Sequence, residues 1–190
     1  FLIFGTDIKT TIKSLNFKDT RGAQIQNLKT VFSYSLTQMA FDQLEIKSDY
    51  STLFGQLQFD YERKDFNDFL EKVNVSGFFE NSTIDLEELN VFYNEFGTNQ
   101  KAYLNTTFSG TLNNLLLENI DIITSENTSI VGEVQFKNLF KDTSDKFKMD
   151  AYFQQIASTN SDLKALLPRV LGNNLPTGFG SLGRFDMRGT

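Results

Sequence analysis

Apolar and polar residues alternate along most of this chain, which is organised around the stretch 103–140. Within this stretch Ile120 and Ile122 alternate with polar residues, as do Val134 and Phe136. Successive side chains of a strand point to opposite faces, so the pattern predicts strands with one apolar and one wet side. We therefore predict three successive strands here, the last two joined by a polar turn at 125–128.

Similar alternation predicts more strands on both sides of this stretch. Gly55, Gly110 and Gly132 recur at the same place among the apolar residues of three strands, where glycine marks a bulge or a close backbone approach. The recurrence indicates that similar strands are added to one sheet. The further strands are predicted at 25–35, 44–48, 52–61, 73–79, 147–153 and 182–189, after a looser pattern over 1–17.

The apolar period changes from two residues to helical spacing in three places. We predict short helices at 65–72, 85–96 and 162–171, with Pro168 interrupting the last. The second is expected to start at Asp85, with Glu88 completing a capping box. The acidic residues of this turn could hold a cation, but the helix macrodipole explains them better. The helices are therefore inserts in a β scaffold.

The amino-acid composition supports an all-β protein and excludes several kinds of catalytic and metal site. The chain has 20 Phe but only 2 Pro, which suits pleated, half-buried surfaces. It has no His and no Cys, which excludes a Ser-His-Asp triad and the usual zinc ligands. The net charge of −6 argues against nucleic acid as a partner. We expect no enzymatic activity, no catalytic residue, no metal and no cofactor.

Two runs, 109–120 and 128–139, resemble the repeat of the TamB and AsmA-like proteins, in which a Gly-x-aliphatic start precedes two alternating strands. The run 84–93 resembles their short helical insert, and 166–176 is similar to TamB-like chains of Bacteroidota. The resemblance implies a long, curved, antiparallel-rich sheet folded into a U-shaped apolar trough, or β-taco. The chain 1–190 would then be a single section of a longer, repetitive protein.

The resemblance also implies a function. Such proteins bridge the inner and outer membranes of Gram-negative bacteria through the periplasm, with a membrane anchor that would lie outside this chain. They are thought to conduct phospholipids, or to assist outer-membrane protein assembly, with a barrel protein of the BamA/TamA type as a possible partner. Phospholipid acyl chains would lie on an apolar face that alternation assigns to Leu57, Phe59, Ile120, Ile122, Val134, Phe136, Phe147, Met149 and Phe153.

Two alternatives remain open at this point. The apolar face could be the ordinary core of a β-sandwich or barrel, as in an adhesin-like extracellular binding protein. The chain could instead be a scaffold that offers a strand edge to a client protein. The absence of Trp and the abundance of Phe favour acyl chains over sugars as the ligand.

Overall fold

A computed structural model describes residues 2–4, 7–20, 22–91, 94–138, 148–172 and 174–189. About 60% of the described residues lie in strands, and they form an open, curved antiparallel sheet with a few short helices. The prediction of an all-β curved trough with at least half of the residues in strands is confirmed.

Eleven strands form the sheet, and their order in the sheet is their order in the chain. Each is antiparallel to its neighbours, so the sheet is a meander with β1 and β11 at its edges. The strands are β1 Leu2–Phe4, β2 Asp7–Lys18, β3 Gln24–Tyr34, β4 Gln38–Lys47, β5 Thr52–Asp60, β6 Asn74–Asp85, β7 Lys101–Thr111, β8 Asn114–Thr124, β9 Ser129–Lys137, β10 Lys148–Ser158 and β11 Phe185–Gly189.

The helices interrupt this meander at the ends of three strands. Between β5 and β6 a 3₁₀ helix leads into a helix, and Pro168 starts a new helix at its first position, where its missing N–H costs nothing. The predicted helix at 85–96 is shorter than expected, and Tyr93 lies outside the described residues. The helices are α1 Phe69–Lys72, α2 Leu86–Leu89, α3 Asn160–Leu166 and α4 Pro168–Leu171, with 3₁₀ helices at Arg63–Asp68 and Thr177–Ser181.

β4 and β6 are longer than alternation predicted, because each contains a β-bulge, and β10 likewise continues to Ser158 past a register shift after Phe153. The predicted strand 44–48 is the second half of β4, and 73–79 is the first half of β6. Gln43 and Asn81 have positive φ values of 52° and 48° at these points. A bulge adds one residue, so the residues beyond it point to the opposite face from the one that period-2 alternation predicts. The alternation from which these strands were predicted therefore stops at the bulge.

The bulges recur at the same place in alternate strands. Positive φ occurs at positions 43, 81 and 119, so that successive copies are 38 residues apart in β4, β6 and β8. At each one the register shifts against both neighbouring strands. A bulge bends its strand and increases the local twist. The repeated bulge thus accounts for the curvature of the sheet.

Buried threonine hydroxyls pair with the carbonyl groups at two of these bulges. Thr30 Oγ1 donates to the carbonyl oxygen of Asp42 at 2.8 Å, and Thr106 Oγ1 donates to that of Glu118 at 3.0 Å. Both threonines are nearly fully buried. A buried polar group without a partner is costly, so these bonds stabilise the disturbed ladder.

We expect Gly132→Ala to destabilise the sheet. A Cβ at Gly132 would overlap the backbone carbonyl oxygen of Tyr152 and lie 3.0 Å from the Cα of Phe153 on β10. Overpacking of this kind costs about 1–3 kcal/mol. Urea unfolding should show a lower midpoint for Gly132→Ala. Gly183→Ala is the matched control, because nothing lies within 4 Å of its Cβ, and equal midpoints would contradict the close approach.

Candidate functional site

The strand register separates the sheet into two faces of opposite character. Residues directly opposite each other on neighbouring strands point to the same face. One unbroken row of such pairs crosses from β2 to β10 and is made mainly of large apolar side chains. We call the face that carries it the apolar face, and the opposite one the polar face. The row is Thr10, Phe32, Phe41, Leu57, Gly77, Phe108, Leu117, Val134 and Ala151.

Eight of the nine residues assigned to a lipid groove lie on the apolar face, and the ninth, Phe147, lies outside the described residues. On β8, β9 and β10 they are close neighbours: Phe136 pairs with Met149, while Ile120 and Phe153 both face Gly132. Leu57 and Phe59 are on β5, three strands away. The register therefore places these residues on a common surface, and lipid binding by them stays a prediction.

At one rim, part of this face is covered by the inserts after β6 and β10. Leu86 of α2, Leu166 of α3 and Ala102 of β7 form a buried cluster. Ile122 packs against this cluster, together with Ile130. The backbone N–H of Gly97 donates to the carbonyl of Leu166 at 3.0 Å, which ties the two inserts together. The predicted groove residue Ile122 therefore contacts protein, and two further predicted groove residues, Ile120 and Val134, are buried at 4% and 7% exposure.

At the opposite rim, the 3₁₀ helix and α1 cover another part. The Phe66 ring lies 4.6 Å from that of Tyr61, and Phe69 lies 5.9 Å from Phe59. Burial raises the pKa of the Tyr61 hydroxyl, which donates to the carbonyl of Ser35 at 3.0 Å. Phe59, another predicted groove residue, is therefore partly covered by an aromatic cluster.

The rest of the apolar face has no second layer in the described part of the chain. Met149 is 53% exposed and Phe17 is 48% exposed, while Phe108 and Leu117 are half-buried. The chain exposes 11664 Å² of surface, whereas a globular monomer of its mass exposes about 9,200 Å². The chain is thus more open than a globular monomer of its mass, and part of the apolar face is in contact with solvent.

The polar face carries exposed charges and ion pairs. Lys29 and Lys47 lie 3.3 Å and 3.0 Å from the carboxylate of Glu45. The hydrogen bond from Lys47, and then that from Lys29, holds the pKa of Glu45 below its ordinary value. Lys137 pairs with Asp150 at 3.4 Å. Exposed pairs contribute little stability, but they keep this face in water.

Glu88 is a residue whose role the sequence did not reveal. Its carboxylate accepts hydrogen bonds from Ser48 Oγ at 2.6 Å, from the Tyr50 N–H at 3.1 Å and from Ser51 Oγ. It therefore joins α2 to the β4–β5 turn rather than completing a capping box. The cap of α2 is Asp85, as predicted, and its carboxylate accepts from the N–H of Glu87 at 3.0 Å. The partners of Glu88 are remote in sequence, so no local motif signals them.

Comparisons of the chain with family models, with curated proteins and with solved structures found no match. Among the described residues, no helix has the length and apolar character needed to cross a membrane. In the same part of the chain, no group of three or more acidic side chains is placed to hold a metal ion. The candidate site is the apolar face, because the strand register gathers a row of large apolar side chains there.

Glu88→Ala is expected to loosen α2 from the β4–β5 turn. The substitution removes the acceptor for three hydrogen bonds, a loss of about 1–3 kcal/mol. Hydrogen exchange should become faster at the Tyr50 amide. Glu87→Ala is the matched control, because Glu87 is exposed in the same turn of helix. Unchanged exchange in Glu88→Ala would refute the role assigned to this carboxylate.

Proposed function

We propose that this chain is a section of a TamB/AsmA-like periplasmic protein that holds phospholipid acyl chains on its apolar face and conducts them along the sheet. The observation that carries the proposal is the row of apolar side chains from β2 to β10. All of its members are half-buried except Val134, which is buried, and Phe17 and Met149 are exposed elsewhere on the same face. With strands about 4.8 Å apart, this row is about 40 Å long. That length allows an acyl chain to move from strand to strand without leaving apolar surroundings.

The binding energy for such a ligand is available from burial alone. Each methylene group removed from water contributes about 0.8 kcal/mol. The contact is non-directional, so a chain can slide along the face without breaking specific bonds. The charged polar face would stay in water. An apolar face that binds without directional bonds, backed by a charged face in water, fits a conduit better than a site for one fixed ligand.

The alternative of a sandwich-type binding protein requires a second sheet over the apolar face. The described strands instead form one sheet in chain order. A carbohydrate-binding adhesin is also disfavoured, because the chain has no Trp on which a sugar ring could stack. The assembly-scaffold alternative, with a barrel protein of the BamA/TamA type, shares the open sheet edges and is compatible with lipid conduction.

Leu117→Asp should remove most of the lipid that co-purifies with the protein, whereas Leu116→Asp should not. The two leucines are adjacent on β8, and both are half-buried. Leu117 pairs with Phe108 on the apolar face, and Leu116 pairs with Ser109 on the polar face. A charge on the apolar face opposes contact with acyl chains. We expect at least a several-fold loss of bound phospholipid, measured by mass spectrometry of extracted lipid.

The control for folding is circular dichroism of both variants. If the wild-type protein carries no lipid and takes none up from vesicles, the proposed function is wrong. Equal lipid content in Leu117→Asp and Leu116→Asp would show that binding does not involve the apolar face.

The open edges of the sheet predict self-association of the isolated chain. Within the described residues, β11 pairs only with β10, so the backbone groups along its other side lack strand partners. Such an edge recruits other strands. Sedimentation velocity should show association that grows from the low to the high micromolar range. Met187→Pro, which removes an N–H from β11, should reduce it, and a monomer throughout that range would contradict the prediction.

A further inference from the structure

A cleft of about 450 Å³ opens at the rim that carries α2. It lies between the tip of the β2–β3 hairpin, the β4–β5 turn and the segment 84–91. Its volume is within the range of small-ligand sites, about 300–1,000 Å³. This part of the rim is not filled by the inserts, because they pack over the strands from β6 onward.

The floor of the cleft belongs to the apolar face. Ile46 and Leu53 form a direct cross-strand pair, and Ile84 and Leu89 close the side next to α2. All four side chains are half-buried. The neighbouring Phe17, on the same face of β2, is 48% exposed. Because the floor of the cleft is part of the apolar face, an acyl chain lying on this face can end in the cleft without passing over polar side chains.

The wall of the cleft combines a fixed carboxylate with an exposed aromatic ring. Glu88 lines the cleft, and its carboxylate is held by the two serines and the backbone N–H of the β4–β5 turn. Asp49 adds a second carboxylate, and the ring of Tyr50 is 66% exposed beside them. Carboxylates and aromatic faces together are the groups that attract an ammonium ion.

One basic side chain, Lys18, is among the described lining residues of the cleft. Lys18 follows Phe17 on β2, so it leaves the strand on the polar face and lines the cleft at the end of the β2–β3 hairpin. An ammonium group on a lysine is a point charge that suits a phosphate. Just beyond Tyr50 and Glu88, a second depression is lined by Asp85 and Glu87 as well as Lys101. The charges around the cleft are thus mainly acidic, with one base placed for a phosphate.

We propose that this cleft is a headgroup site that prefers zwitterionic, ammonium-bearing phospholipids over anionic ones. The acyl chain lies on the apolar floor, the ammonium group contacts Glu88, Asp49 and Tyr50, and the phosphate contacts Lys18. Because three hydrogen bonds already hold the Glu88 carboxylate in place, this side chain does not have to move when the ligand binds. The inference rests on the proposed function and names the lipid class that the trough would accept.

The chain has no Trp and no Cys, so a single introduced Trp reports on one place. Val91→Trp puts this reporter at the cleft, where Val91 is 36% exposed. Tyr103→Trp is the control, because Tyr103 is 55% exposed and lies on the polar face with Ile123. The probes are vesicles of phosphatidylethanolamine or of phosphatidylglycerol with identical brominated acyl chains, which quench nearby Trp fluorescence.

We expect phosphatidylethanolamine to quench Val91→Trp at a lipid concentration at least about fivefold lower than phosphatidylglycerol does, which corresponds to roughly 1 kcal/mol. Tyr103→Trp should show neither strong quenching nor a preference. Adding Asp49→Lys to the reporter should abolish or reverse the preference. Asp121→Lys, on the polar face, makes the same change in net charge and should leave the preference intact.

The outcomes separate this inference from the proposed function. Equal quenching by the two lipids, or an unchanged preference in Asp49→Lys, overturns the headgroup site even if Leu117→Asp still loses its co-purified lipid. Quenching with the stated preference in a protein whose Leu117→Asp variant keeps its lipid supports the cleft and contradicts the trough. Val91→Cys carrying a polarity-sensitive dye gives a second reading if the bulkier Trp prevents folding.

Discussion

Every other feature of this molecule depends on one constraint: strand after strand puts its apolar side chains on the same face of a single sheet. Such a face normally requires a second layer, because exposed hydrocarbon is costly. Within the described residues, the cover consists of two small patches, one around Leu86 and Leu166 and the other around Phe66 and Phe69. The part of the face between these patches is the surface on which we propose that acyl chains lie.

The curvature of the sheet is built into its backbone rather than imposed by packing. Gln43, Asn81 and Asn119 hold bulges at equal spacing. Asparagine tolerates the positive φ that two of these positions need. Thr30 and Thr106 satisfy bulge carbonyls from the neighbouring strand. The unit that repeats is therefore a hairpin with one bulge. Adding such units makes the trough longer and keeps its cross-section the same, as the proposed conduit requires.

The inserts divide the apolar face as well as cover it. They sit at opposite rims of the apolar face, so the proposed path of an acyl chain runs between them. Glu88 joins α2 to the β4–β5 turn and also supplies the charge at the uncovered cleft. One carboxylate thus links the stability of an insert to the selectivity proposed for the lipid headgroup.

The sequence by itself determined the all-β class, the positions of the inserts and the facing of groove residues such as Val134 and Phe136, because alternation and helical spacing are local properties. It also indicated close approach at Gly132, where the neighbouring backbone leaves no room for a Cβ. Tertiary structure alone decided how far β4 and β6 extend, since a bulge reverses the facing of the residues beyond it. It alone decided that Ile122 and Phe59 are covered and that Glu88 binds the β4–β5 turn, because those contacts join segments that are remote in the chain.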